Sequence, residues 1–408
     1  MKVNLVYLFP YKFTEHSFYK YEISKLSKDT KLNPIIHDLS SILSDEKLNT
    51  TWRTKVEKKT SKFRSLKDWS KKFNQLKKKK TIIFNYIPSH NLAGFIINFL
   101  IKQSKLPVIK HIPVGPYSQP LKKNLNFYIR RIKEHKFNYK LYFFWIKFYF
   151  FQFLINRVKS GKIYSFSNKN INKNKNNQDL KFYNIEFNTY DYSNALSFKN
   201  KNKNKKIKKY IIYLDNGAPY FAGDAHLKND PFIQKDLKKQ YDDLNHFLDK
   251  IEEYFNAKVI VIPHPKYKSP NKKKIKSLNP YFNKRIVNND YDALAKLSSN
   301  CLFFINKFST AVSYAIFYNK PVINIYSSQY FHPREEFESI INQAKLIGNS
   351  PVNICKFNKK IIIKNLKVKQ SNYKFYKYNF LTPKNRSTES IENFKLIKKF
   401  VHKEFNLN

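Results

Sequence analysis

Two cysteines, one methionine and six glycines in 408 residues leave little room for several classes of protein. Cys301 and Cys355 make neither a disulfide scaffold nor a cysteine-based zinc module, and so few thiols fit a reducing compartment. The scarcity of glycine goes with the absence of glycine-dependent phosphate motifs. There is no P-loop and no GxGxxG, and HExxH and GxSxG are missing as well. No carboxylate cluster of the kind that holds a nucleotide-bound metal stands out. Acidic residues are also few, 29 Asp+Glu against 78 Lys+Arg, for a net charge of +49.

A charge of that size suggests a nucleic-acid binder. Its make-up argues otherwise. Only eight of the basic residues are Arg, the side chain whose planar fork pairs bidentately with phosphate and guanine. Lys rises together with Asn, Ile, Phe and Tyr, all read from A/T-rich codons, so biased composition explains much of the excess. The rest points to a basic face for anionic lipid or anionic substrates, and no nucleic-acid partner is expected.

What is present is apolar material. Hydrophobic residues make up 42%, and Tyr and Phe supply 29 and 37 positions. That excludes a disordered chain, and the length suits two domains. Met1–Pro10 reads as a buried strand rather than a targeting segment. In the first half, strands are expected at Val3–Phe9, Thr81–Ile87 and Leu106–Ile112, with helices at Ser17–Leu26 and Leu92–Ile101, the latter capped by Ser89. Residues 51–80 read as an exposed Lys-rich helix or insertion.

Segment 121–159 combines Lys and Arg with an aromatic run in which nine of the thirteen residues 141–153 are aromatic. It is too short and too interrupted by Lys147 and Gln152 to span a bilayer. It suits a membrane interface, with a domain-covered core helix as the alternative. Lys/Asn runs at 168–178 and 199–209 read as solvated loops, the second marking a domain boundary.

Beyond that boundary the alternation sharpens. Strands are expected at Tyr210–Leu214, Lys258–Pro263, Cys301–Ile305 and Pro321–Ile325, with helices at Asp236–Phe255, Asp290–Ser299 and Ser309–Tyr318. Three constellations fall at strand ends. Asp215, Asn216 and Gly217 close one strand, with Asp224 in the loop that follows. His264 follows another, between Pro263 and Pro265 and ahead of Lys266, where it can donate to a phosphate oxygen. Ser309, Thr310 and Ser313 open a helix, either as a simple cap or as an anion site. His332, Arg334 and Glu335 are weaker candidates for the same crevice.

The runs YIIYLDNGAPYFAGDAH, IPHPK and FSTAVSYAIFYNKPVINI together resemble bacterial surface-carbohydrate biosynthesis proteins of the GT-B glycosyltransferase type, the group that includes sialyl- and polysialyltransferases. In that group an HP motif precedes a Ser/Thr pair, and His264 precedes Ser309 by 45 residues here. The resemblance covers residues 185–330. It implies an α/β fold of two Rossmann-like domains facing a central cleft: 1–198 for the acceptor, 199–382 for the nucleotide sugar, and an amphipathic helix over 383–408.

It further implies metal-independent transfer with no cofactor, from a CMP-nonulosonate or UDP-sugar donor to a glycan or glycolipid acceptor of capsule or lipopolysaccharide. The implied setting is cytoplasmic or peripheral at the inner membrane. His264 with Pro265, Lys266, Ser309, Thr310, Ser313, Asn216 and Gly217 would hold the donor, and Asp215 or Asp224 would serve as base. The amino-terminal acidic motif of the sialyltransferases is missing. His90 and His111 are the acceptor-side candidates. Transfer of a CDP-linked alditol phosphate, a non-catalytic basic binding protein and a catalytically inactive relative are the alternatives.

Overall fold

The computed structural model describes residues 2–43, 60–89, 91–112, 139–168, 182–199, 209–216, 237–264, 282, 285–288, 290, 292–329 and 334–407. The chain divides into two compact units. Among the described residues, those up to Phe187 and from Phe394 onward form the first, and those within Asn188–Asn393 form the second. The crossing therefore precedes helix Tyr190–Lys199 instead of following it at 199. The tail is split as well: Arg386–Glu389 belongs to the second unit, and most of helix Asn393–Glu404 returns to the first. The physical reason lies in Asn188. Its Nδ2 donates to the carbonyls of Thr388 (3.0 Å) and Ile391 (2.9 Å), while Asn393 Nδ2 donates to the Asn188 carbonyl at 2.9 Å. The outgoing and returning strands of chain are thus bonded to each other.

The first unit carries seven parallel strands: β1 (Val3–Phe9), β2 (Leu32–Asp38), β3 (Thr60–Lys62), β4 (Thr81–Asn85), β5 (Val108–His111), β6 (Ile163–Ser167) and β7 (Phe182–Glu186). Their order is β3-β2-β1-β4-β5-β6-β7. Every residue of β1 is buried, as expected for a parallel strand with helices on both faces. Residues 66–76 form a helix, exposed on its lysine-bearing side and buried on the other. Ser65 caps it, accepting from Asp68 N, and Trp69, Phe73 and Leu76 turn inward to pack with Val6, Leu8, Ile83 and Ile97. The surrounding lysines hide this i, i+4, i+7 stripe in the sequence.

Helix Leu92–Gln103 is capped by Asn91, whose side chain accepts from Gly94 N at 2.7 Å, and not by Ser89. Ser89 instead accepts from Asn98 Nδ2 at 3.0 Å, in a network that also takes in Asn85. The helix over Tyr139–Arg157 has 19 residues. Among the described residues no helix is long and apolar enough to cross a membrane.

The second unit has six parallel strands: β8 (Tyr210–Leu214), β9 (Lys258–Ile262), β10 (Ile286–Val287), β11 (Phe304–Asn306), β12 (Val322–Tyr326) and β13 (Val352–Asn353). The order is β10-β9-β8-β11-β12-β13. Counted within the unit this is 3-2-1-4-5-6, the Rossmann order. Alternate residues of each strand enter opposite cores. Ile212, Leu214, Phe304 and Val322 face one, and Ile211, Tyr213, Ile305 and Ile323 the other. That two-sided burial is why a run such as YIIYL reads as a continuous apolar strand. Of the expected fold class, the α/β architecture of two Rossmann-like units is present in both sheets.

Candidate functional site at the edge of the second sheet

In a doubly wound sheet, ligands sit beyond the carboxyl ends of the strands where the strand order reverses. In the second unit that reversal lies at β8, which pairs with β9 on one side and β11 on the other. The register places Leu214 opposite Ile262 and opposite Asn306. All three strands end at one level. The residues just past those ends are Asp215 and Asn216, Pro263 and His264, and Lys307 through Thr310. The described members of the three constellations singled out in the sequence are therefore neighbours along one sheet edge.

Each is held differently. Asp215 is buried, and its backbone N–H donates to the Ile262 carbonyl at 3.0 Å, which extends the β8–β9 ladder one step past the strand. Asn216 and His264 are half-buried. Ser309 caps a turn: its Oγ accepts from Ala311 N at 3.2 Å. The expected helix Ser309–Tyr318 is a 3-10 turn over Thr310–Val312 followed by a short α-helix, Ser313–Phe317. Thr310 is exposed, whereas Ser313 is buried, and its hydroxyl has no hydrogen-bond partner among the described residues. Ser313 thus lies beneath the turn, while Ser309 and Thr310 form its outer face. Gly217, Asp224, Pro265, Lys266, His90 and His332 lie outside the described residues, as do the side chains of Arg334 and Glu335.

A group that sequence reasoning missed supports the turn from below. Gln343, on helix Arg334–Leu346, is fully buried. Its Oε1 accepts from Asn306 Nδ2 at 2.6 Å and from Asn324 Nδ2 at 3.0 Å, and its Nε2 donates to the Ser309 carbonyl at 3.2 Å. One side chain thereby ties the end of β11 and the middle of β12 to the turn. The signal was available, since Asn306 and Asn324 are amides inside apolar strands. Buried amides need partners, and a distant Gln is one.

Asp290 and Asp292 are carboxylates two residues apart. Asp292 stands just before helix Ala293–Leu297 and pairs with Lys296 at 2.7 Å. Among the described residues no group of three or more His, Cys, Asp or Glu could hold a metal ion.

The first unit reverses its strand order at β1, which pairs with β2 and β4. Past those strand ends stand tyrosines. Tyr11 and Tyr21 share a hydrogen bond of 2.9 Å, and Tyr86 stacks on Phe9 with ring centroids 4.8 Å apart. Burial and the Tyr21 neighbour push the Tyr11 hydroxyl well above its ordinary range. Asp38 fixes this edge, accepting from Phe13 N and Ser40 N at 3.0 Å each. His111 ends β5, edge-on to the Phe187 ring. Burial, helped by the Lys20 charge, holds its pKa down at about 3. It is a neutral imidazole at physiological pH, too weak a base to take up a proton there.

No protein-family model matches the chain, and no curated protein matches it. Among solved structures, one that it resembles is UDP-GlcNAc 2-epimerase from Methanocaldococcus jannaschii, at 15% identity over 98% of this chain and 100% of the other, with a TM-score of 0.48. A second is S. aureus MnaA, solved with UDP, at 15% identity over 100% of this chain and 98% of the other and a TM-score of 0.48. A third is the glycosyltransferase SnogD from Streptomyces nogalater, at 7% identity over 98% and 99% and a TM-score of 0.44.

Proposed function

We propose that the protein is a nucleotide-sugar enzyme that transfers a sugar to a cell-surface glycan, without a metal, using the carboxyl edge of the second sheet. One observation carries the reading: His264, Asp215 and the Ser309 turn stand on three adjacent strand ends at the point of strand reversal. In this mechanism His264 and the outer donors of the Ser309–Thr310 turn bind the donor's phosphate and stabilise the charge that grows on it as the glycosidic bond breaks. Gln343 keeps the turn in place. Asp215 or Asp224 takes the proton of the acceptor hydroxyl.

The test is turnover of CMP-, UDP- and CDP-linked donors, with and without a glycan acceptor. Transfer is expected from one donor only, and His264→Ala should lower it by about 10²–10³-fold, as loss of a preorganised donor does. Unchanged turnover in that variant removes the mechanism. Consumption of a UDP-sugar without acceptor, giving an epimer, would replace transfer with isomerisation. Consumption of a CDP-alditol would replace it with phosphotransfer.

A further inference from the structure

The aromatic helix Tyr139–Arg157 is apolar on two sides. One side faces inward: Ile155 is buried, and Phe151 stacks on Phe95 with centroids 5.1 Å apart. Below its end, the buried Lys102 donates from Nζ to the Ile155 carbonyl at 2.5 Å and the Val158 carbonyl at 3.4 Å, which fixes the helix to the unit. The other side faces out. Phe143 is 57% exposed, Ile146 65%, Tyr149 61%, Phe150 56% and Phe153 52%. With 3.6 residues per turn these five positions fall on one arc of about 120°. A monomer in water gains nothing from so continuous a stripe of large apolar side chains.

Cations are built into the stripe. Lys147 Nζ lies 4.2 Å from the Phe143 ring centroid, and the Arg157 guanidinium lies 4.1 Å from that of Phe153. The helix contains no acidic residue. A second copy docking face to face would bring these cations together in a chain already at +49, with no carboxylate on the helix to answer them. A surface of opposite charge with an apolar layer beneath it answers both features.

We infer that the exposed face of helix Tyr139–Arg157 is a docking surface for an anionic lipid bilayer, into which Phe143, Ile146, Phe150 and Phe153 insert at headgroup depth while Lys147 and Arg157 meet lipid phosphates. Rings flanked by cations suit that interface. The helix lies in the plane of the membrane and does not cross it. This surface belongs to the first unit and stands independently of the nucleotide-sugar reading.

The full-length protein is sedimented with vesicles of phosphatidylcholine alone and with vesicles containing phosphatidylglycerol. Binding to the anionic vesicles is expected to be at least about tenfold stronger, and to weaken in high salt. The double variant Phe150→Glu, Phe153→Glu should lose about tenfold or more of that binding with no change in thermal midpoint, because both positions are exposed. Lys147→Glu with Arg157→Glu should lose the preference for anionic lipid. Equal binding to both vesicles, no binding to either, or unaltered binding by the Phe variants would overturn the inference. So would a wild-type dimer, seen by light scattering, that the Phe variants split into monomers.

Discussion

His37 offers a direct test of how the first unit is packed. It sits in β2 with no exposed surface, edge-on to the Phe63 ring at 4.8 Å, and its Nδ1 accepts from Trp69 Nε1 at 3.3 Å. Its Nε2 has no hydrogen-bond partner among the described residues. Burial, with a contribution from the Lys72 charge, lowers its pKa to about 4. In the unfolded chain it titrates near its ordinary 6.5. Between those values the unfolded state binds the proton and the folded state does not, so stability falls as pH drops below 6.5.

Integrating the linkage from pH 7.5 to pH 5 gives a loss of about 2 kcal/mol, and that figure changes little while the folded value stays below about 4.5. The perturbation is His37→Asn, which keeps an acceptor near the Nδ1 position and removes the titration. The assay is urea unfolding at the two pH values, followed by indole fluorescence. Trp52 and Trp145 are replaced by Phe so that Trp69 is the only reporter among the three tryptophans. The wild-type background should lose about 2 kcal/mol more than His37→Asn over that interval. Equal losses would mean that His37 is solvated in the folded protein, and the packing of Trp69 over β2 described above would be wrong.

Gly94→Ala sets two rules against each other. Helix propensity favours Ala by about 1 kcal/mol, yet a Cβ at this position would stand 2.2 Å from the Pro88 carbonyl oxygen. Thermal melting of the variant should therefore show destabilisation, and a gain would refute the close approach. Gln343→Leu strands the buried amides of Asn306 and Asn324 and frees the Ser309 carbonyl. Its cost should be about 2–4 kcal/mol by urea unfolding. Nucleotide affinity, measured by calorimetry, should weaken with it, and unchanged affinity would separate Gln343 from the site.

Much of this was legible in the residues. YIIYL is buried along its whole length, and KVIVI and PVINI are apolar at all but one position each, so their strands are found without difficulty. Because parallel strands joined by helices all point one way, residues that follow them collect at one edge. The linear order LDN, IPH, NKFST thereby became a row of neighbours. Other parts were hidden by partners far away in sequence. β2, LNPIIHD, carries a His and an Asp inside the core, which make sense only beside the Trp69 indole and the amides of Phe13 and Ser40. The Trp69 stripe was masked by lysine. The crossing at Asn188 gives no compositional sign, because its bonds run to residues about two hundred positions on.

That return of the chain bears on the order of synthesis. The first unit is interrupted by the second, and its last helix reaches contacts made very early. Phe394 N donates to the buried Glu22 carboxylate at 2.9 Å, Lys398 pairs with Asp29 at 2.6 Å, and Tyr164 donates to Glu404 at 2.6 Å. A ribosome delivers those closing residues only after the whole second unit. The first sheet must therefore wait for completion while some two hundred later residues emerge, with the buried seat of Glu22 unfilled. The second unit, whose described residues all fall within Asn188–Asn393, faces no such delay. Newly made chains should thus complete their folding in the reverse of the order in which they begin.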